Sequence, residues 1–475
     1  MAHSSKMMGN SMKKGLLASY VSGLSDREHG ESYDRIIRYF IPEFITSLLL
    51  YSMLSSLDAY FIGYLKSTTT YGVLGATKHL IHFITKIAEA LSVGTIILSG
   101  RYNGMSNFAQ SGRTLRDAFW LTCILGATVA SFLFFGAHYI YTLYVPADMV
   151  GLGVPFLRLR ALGVFLMFIA LAFVGFLRGV KNTKAPMFIF IVGALAFVFF
   201  DYGLIFGAFG LPALGLQGSA WASVIQYTVI TIMVITYVMY NPDYRKYGIS
   251  LLGPLQDGAQ CKELLRLSWP VLLDKATMAF AYIWLVGMMK PLGARGVAAF
   301  CVLQDMERFA LIPAIAFAQV STFLVSNDFG MENWQSIKNN VKKIMFLASI
   351  VVFSILFLFS INARTIIGWF DRKHEFTDLA AQIFPFVSAF AFFDLLQLVL
   401  SGALRGAGNV RIVMYSRLAV FIFYFIPISY GITKLPIEDI SLRILLLFGS
   451  FYVGNALMSI VYIQRFRSGL WKTLK

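Results

Sequence analysis

The chain has 475 residues, of which 58% are hydrophobic and 13% charged, with 44 phenylalanines and a mean hydropathy of +0.70. An average soluble domain carries about 25% charged residues, so there is too little polar surface here to coat a globule, and lipid must solvate much of the chain. At about 20 apolar residues per span, the length accommodates about a dozen helices with short loops. Soluble enzymes, fibrous proteins and disordered chains are excluded.

The net charge is +16. Lys and Arg sit in short clusters between apolar runs, where they meet anionic headgroups rather than nucleic acid. Cys123, Cys261 and Cys301 fall in separate apolar segments, with no spacing suited to zinc or a disulfide framework. The first 35 residues carry Lys6, Lys13 and Lys14 before the weakly apolar Gly15 to Leu24, which lacks a convincing cleavage site. They are expected to form a cytoplasmic tail, 1–35.

In chain order, the apolar runs predict helices near 36–62, 73–100, 114–138, 152–177, 185–207 and 216–240. After them come 264–289, 296–325, 342–363, 377–404, 410–433 and 442–464. The runs are continuous and lack the alternation of barrel strands. The fold class is therefore an all-α polytopic membrane protein with twelve transmembrane helices. The one sizeable hydrophilic stretch, 241–262, falls at the midpoint and divides an N-lobe, 36–240, from a C-lobe, 263–466, followed by a tail, 467–475.

The two halves resemble each other. Arg38-Tyr-Phe-Ile-Pro42 recurs as Arg266-Leu-Ser-Trp-Pro270, Gly104-Met-Ser-Asn107 as Gly330-Met-Glu-Asn333, and Leu177-Arg178-Gly179 as Leu404-Arg405-Gly406. Ordered matches at a nearly constant offset indicate a six-helix duplication. With six helices each, both units enter the membrane from the same side, forming two pseudo-symmetric lobes with a cavity between them. Loops on the side of the termini carry 25 Lys and Arg against 7 on the other side, so both termini and the linker are expected in the cytoplasm.

Ionisable side chains inside spans cost on the order of 2.5–3.5 kcal/mol on insertion scales and usually face a cavity or a partner. Asp58, Asp201 and Asp394 lie in strongly apolar contexts. A desolvated carboxylate there can cycle a proton or ligate a small hard cation with neighbouring hydroxyls. Asp58 also admits a plainer account, an interfacial residue meeting headgroup water. On the second span, Lys78, His82 and Lys86 recur on one helical face, with His79 beside them and Glu89 three residues after Lys86. Two readings stay open: a cationic wall of a substrate cavity, or a snorkelling Lys78 with a structural Lys86–Glu89 pair. Arg158 and Arg160 add charge in the fourth span, and Asp305, Glu307 and Arg308 form a mixed, self-neutralising cluster in the eighth.

The run from Leu57-Asp58 to Gly63, Leu74-Gly75-Ala76, Phe176-Leu177-Arg178-Gly179, Asp201-Tyr202-Gly203 through Gly207, and Asp394-Leu-Leu-Gln397 resembles the multidrug and toxic compound extrusion (MATE) transporters. The resemblance covers roughly residues 36–464. It implies a V-shaped, two-lobed exporter of amphipathic organic molecules, working by alternating access and driven by inward flow of protons or sodium. Asp58 and Asp201 match the family's coupling aspartates, so sodium or a proton is expected there. Phe197 stands where an Asn is common, and Ser223 where a Thr is common. Met278 replaces a Glu of the seventh helix, leaving Asp274 one turn earlier as that helix's carboxylate and Asp394 as the residue that transfers cleanly.

The sequence thus predicts a transporter rather than an enzyme, with coupling at Asp58, Asp201, Ser223, Asp274 and Asp394. The substrate cavity is expected to include Lys78, His82, Lys86, Glu89 and Gln397. No cofactor beyond the coupling ion is expected. The expected partners are a small organic substrate and the bilayer of a cell (inner) membrane, not nucleic acid, and the chain is expected to be a monomer. The alternatives are a flippase for lipid-linked oligosaccharide, which would suit a basic cavity meeting phosphate, or an exporter of an anionic metabolite.

Overall fold

The computed structural model describes residues 16–26, 28–251, 258–371 and 375–473. Lys6, Lys13, Lys14, Arg372 and Lys373, counted above in the charge bias, lie outside them. All twelve expected spans are helices. In the first half, α1 runs Tyr33–Leu48, Leu49–Met53 and Leu54–Gly63, followed by α2 (Thr68–Gly104), α3 (Phe108–Tyr144), α4 (Ala147–Gly179), α5 (Lys184–Phe206) and α6 (Leu216–Tyr240). The second half has α7 (Gly258–Met288), α8 (Gly293–Ala310 and Ile312–Gly330), α9 (Trp334–Ile361), α10 (Thr377–Gly406), α11 (Val410–Val420, Phe421–Phe425 and Ile426–Lys434) and α12 (Ile440–Arg467).

Ten of these helices, or eleven counting α8 with its 43° bend, are long and apolar enough to cross a membrane unbroken. The twelfth, α1, is interrupted by a π-helical turn at Leu49–Met53. A second π turn interrupts α11 at Phe421–Phe425. Such turns open the backbone ladder and are frequent at functional sites. Here each one borders a cavity in its own lobe: Leu49 and Leu50 in one, Phe421 and Phe425 in the other.

The duplication is visible in the backbone. At the end of α2, the Asn107 amide reaches the Tyr102 carbonyl at 2.9 Å and Ser106 adopts φ 58°. At the end of α8, Asn333 reaches Asp328 at 2.9 Å and Glu332 adopts φ 55°. The Leu-Arg-Gly segments behave likewise, with Asn182 on Leu177 and Asn409 on Leu404, both at 2.8 Å. These are four Schellman caps in two equivalent pairs, each satisfying helix-end carbonyls.

The lobes pack through α2 against α7 and α8, and through α1 against α8. A Cβ built on Gly104 would overlap the Asn327 carbonyl, and one on Gly330 would overlap the Arg101 carbonyl, so the helices touch backbone to backbone. Asn103 donates to Asn327 at 2.7 Å, and Asn327 donates to the Gly179 carbonyl at 2.7 Å. The outer half of α2 differs: Lys78, His79, His82 and Phe83 are exposed, as are Asp305, Arg308 and Phe309 on α8. The lobes are thus joined at the end that carries the termini and diverge toward the other.

Two segments read as plain connectors are docked structures. A helix at Leu16–Ser25 precedes α1, and the chain after it packs on α9, with Asn339 donating to Asp26 at 2.7 Å and the Glu31 amide to Asn340 at 2.7 Å. Glu31 also pairs with Lys181 of the N-lobe at 3.0 Å, so the tail fastens both lobes together. Burial alone would push the Glu31 carboxyl up, but Lys181 and Arg35 more than reverse it and hold it below its usual range. The linker lies against the N-lobe through Tyr247, whose hydroxyl donates to Asn103 at 2.8 Å, and through the Leu251 carbonyl, which accepts from Trp120 at 2.9 Å. Residues 258–262, read as linker, already belong to α7.

Candidate functional site

Apolar walls on α1, α2, α4, α5 and α6 enclose an N-lobe cavity of about 170 Å³. Asp58, Lys78, His82, Arg160 and Ser223 line it together with Phe156, Phe197, Gln226 and Tyr227. Asp58 is 4% exposed, which places it inside the lobe rather than at headgroup level.

Asp58 is not a lone carboxylate. Arg160 donates to its Oδ2 at 2.6 Å, and Ser219 donates to its Oδ1 at 2.6 Å. Arg160 also reaches the hydroxyl of Ser223 and, at 3.3 Å, that of Ser219. Its guanidinium lies over the Phe156 ring at 5.2 Å. A fork of this kind suits a guanidinium, whose donors diverge from one plane. Arg158, two residues away, turns outward instead and donates to the Phe134 carbonyl at 3.2 Å.

Asp201 on α5 is fully buried, and neither carboxylate oxygen has a hydrogen-bond partner. It stands within electrostatic reach of Asp58 and Arg160. Phe197, one turn earlier, supplies only an apolar edge.

Hard cations are held by several oxygen donors, and each oxygen of Asp58 already accepts a hydrogen bond, one from Arg160 and one from Ser219. No group of three or more His, Cys, Asp or Glu side chains able to hold a metal occurs among the described residues. In this arrangement Asp58 is turned to Arg160 and Ser219, while Asp201 keeps both oxygens without a partner.

In the C-lobe, Asp274 is 1% exposed and held between Arg405 and Arg417, so it is the centre of an ion triad rather than a residue facing a cavity. Asp394 accepts from Asn455 at 3.2 Å. Glu307 does not neutralise Arg308, as the sequence suggested. It turns inward to 2% exposure, within electrostatic reach of Asp394, while Asp305 and Arg308 pair on the exposed face at 3.6 Å. Gln397 is fully buried beside Tyr462 and is absent from the lining of both described cavities. The C-lobe cavity, about 20 Å³, is bordered by Arg417, Thr277, Asn455 and aromatic rings.

The basic face of α2 divides. Lys78 and His82 line the N-lobe cavity, whereas Lys86 pairs with Glu89 at 2.9 Å. The second oxygen of Glu89 takes Lys275 of α7 at 2.5 Å, a partner the sequence reading missed. The signal was available: Lys275 is a second charge beside Asp274 in a part of α7, from Leu267 to Met288, that holds no other Asp, Glu, Lys or Arg.

Two six-helix lobes around buried ionisable groups, with a cavity inside a lobe and divergence at one end, define a multi-pass membrane transporter. A family model described as MatE matches residues 44–203 and 270–430, two segments starting 226 residues apart, one in each lobe. The chain belongs to the MatE family of transporters, the family to which the sequence resemblance pointed.

Among relatives, it is 25% identical to a probable multidrug resistance protein NorM of Thermotoga maritima over 50% of each chain. It is 23% identical to a protein of the same name from Bacillus thuringiensis over 82% of this chain and 86% of that one. A solved structure, the outward-facing conformation of a multidrug resistance MATE family transporter of the MOP superfamily, superposes with a TM-score of 0.83 at 18% identity, covering 94% and 98% of the chains. Another, a MOP superfamily transporter from Pyrococcus furiosus whose binding pocket is described as having reverse polarity, reaches 0.84 at 17% identity with the same coverage.

Proposed function

We propose that this protein is a proton-coupled exporter of amphipathic small organic molecules, with both termini cytoplasmic, working by alternating access. The observation that carries the reading is Asp201, buried without a partner in reach of the Arg160–Asp58 pair. A charge buried alone costs several kcal/mol, a cost that disappears when the carboxyl holds a proton. Once Asp201 gives up that proton, it competes with Asp58 for Arg160, so proton occupancy is tied to the arrangement of α1, α4, α5 and α6 around the cavity. The names of the relatives support the cargo class.

The test is transport in proteoliposomes with an imposed pH or sodium gradient. The pH gradient is expected to drive efflux and the sodium gradient to leave it unchanged. Asp201→Asn, which keeps the shape but cannot cycle a proton, is expected to reduce gradient-driven transport at least tenfold. Wild-type rates in that variant, or drive by sodium alone, would overturn the reading.

A second reading concerns cargo charge. Lys78 adds a positive charge to a cavity in which Arg160 and Asp58 offset each other, which favours organic anions over lipophilic cations because screening is poor in a low-dielectric vestibule.

A further inference from the structure

The floor of the divide between the lobes carries more positive than negative charge. Glu89 of α2 is 5% exposed and is shared by Lys86, one turn earlier on the same helix, and Lys275 on α7 of the other lobe. The neighbouring Asp274 is shared by Arg405 and Arg417. Four cations therefore face two carboxylates. The side chains of Lys86, Lys275 and Arg405 keep 16%, 19% and 14% exposure, and Arg405 Nε is buried without a partner. On the facing helix α8, Glu307 points away into the C-lobe, and Asp305 pairs with Arg308, so that wall supplies no further free acid.

The two partners of Glu89 behave differently when the lobes rearrange. Opening the end that carries the termini must part α2 from α7 and α8. Lys86 travels with Glu89, being on the same helix. Lys275 travels with the C-lobe and loses its carboxylate, next to Arg405, in a region of low dielectric where an unpaired ammonium demands an anion.

The geometry points to Glu89 as an internal displacing anion: it competes with the carboxylate, sulfonate or phosphate of an organic-anion cargo for Lys275. With the lobes parted at the termini, cargo holds Lys275. As the lobes close there, Glu89 retakes the ammonium and expels the cargo toward the open end. This deepens the exporter reading and rests on it. Lys275 is thereby a cargo-binding residue, and Glu89 sets the direction of release.

The test measures binding of fluorescein, an amphipathic anion, to purified full-length protein by fluorescence anisotropy, with a rhodamine ester as the cationic counterpart on a similar ring scaffold and a melting curve for each variant. Glu89→Gln is expected to tighten fluorescein binding at least tenfold without tightening the rhodamine. Lys86→Gln with Glu89→Gln, which restores the wild-type net charge, is expected to keep that gain, and adding Lys275→Gln to Glu89→Gln to abolish it. Fluorescein affinity at the wild-type level in folded Glu89→Gln and in the Lys86→Gln, Glu89→Gln protein overturns the proposal. Should both melt before the assay, Lys275→Gln, which leaves Glu89 its Lys86 partner, decides: affinity at least threefold weaker supports the proposal and unchanged affinity overturns it. Failure of the exporter reading looks different, since wild-type vesicles would then move neither dye against a gradient whatever the binding contrast.

Discussion

Arg160 decides what Asp58 can do. A carboxylate holding a guanidinium at 2.6 Å and a serine hydroxyl at 2.6 Å has its charge balanced by Arg160, and that charge is released only when Arg160 moves. Removing one partner of a buried pair typically costs about 3–5 kcal/mol because the other is stranded. Arg160→Gln is accordingly expected to lower the melting temperature clearly, and Asp58→Asn in the same chain to recover most of the loss. Equal melting of the wild type and Arg160→Gln would remove the pair from the account. Asp58 and Arg160 were each conspicuous in the sequence, but their pairing was not. They are 102 residues apart, on α1 and α4, and nothing in local spacing says which of Arg158 and Arg160 faces inward. Glu89 was half legible for the same reason: its Lys86 partner lies three residues away, whereas Lys275 lies 186 away.

At the scale of elements, α2 and α8 meet backbone to backbone because glycine lets them touch. The Cβ of Gly104→Ala would meet the backbone of Asn327 rather than a flexible side chain, so the helix ends must part. Overpacking of this kind costs about 1–3 kcal/mol, enough to shift a balance between two arrangements of the lobes by a factor of about 5 or more. With spin labels at Ser106→Cys and Glu332→Cys in a cysteine-free background, Gly104→Ala is expected to move the distance distribution toward longer values. An unchanged distribution would show that the contact does not gate the lobes. The helices were readable from hydropathy because lipid demands long apolar runs. The π turns in α1 and α11 were not, since Leu49–Met53 and Phe421–Phe425 differ in no composition signal from the helix around them. The docking of the tail onto α9 also escaped, because Asn339 and Asn340 find Asp26 and Glu31 across more than 300 residues of chain.

For the whole molecule, orientation rests on the bias of 25 against 7 cationic loop residues. The exposed Asp148, in the first turn of α4 and away from the termini, is the place to check it. In a background with Cys123, Cys261 and Cys301 replaced, Asp148→Cys is expected to react with an impermeant thiol reagent added to intact cells. Labelling only after permeabilisation would invert the topology and, with it, the direction of transport.

The glycine contacts also bear on ancestry. Residue 101 meets 330 and residue 104 meets 327, and residues 101 and 104 of one repeat are equivalent to 327 and 330 of the other, each 226 positions on. An arrangement in which i touches j while the copy of i touches the copy of j is the signature of an isologous interface between identical subunits. The seam between the lobes thus has the form of a homodimer fused into one polypeptide. In a homodimer with such a seam, every mutation there strikes twice. In one polypeptide each half varies alone, as Arg160 beside Asp58 in one lobe and Asp394 near Glu307 in the other illustrate.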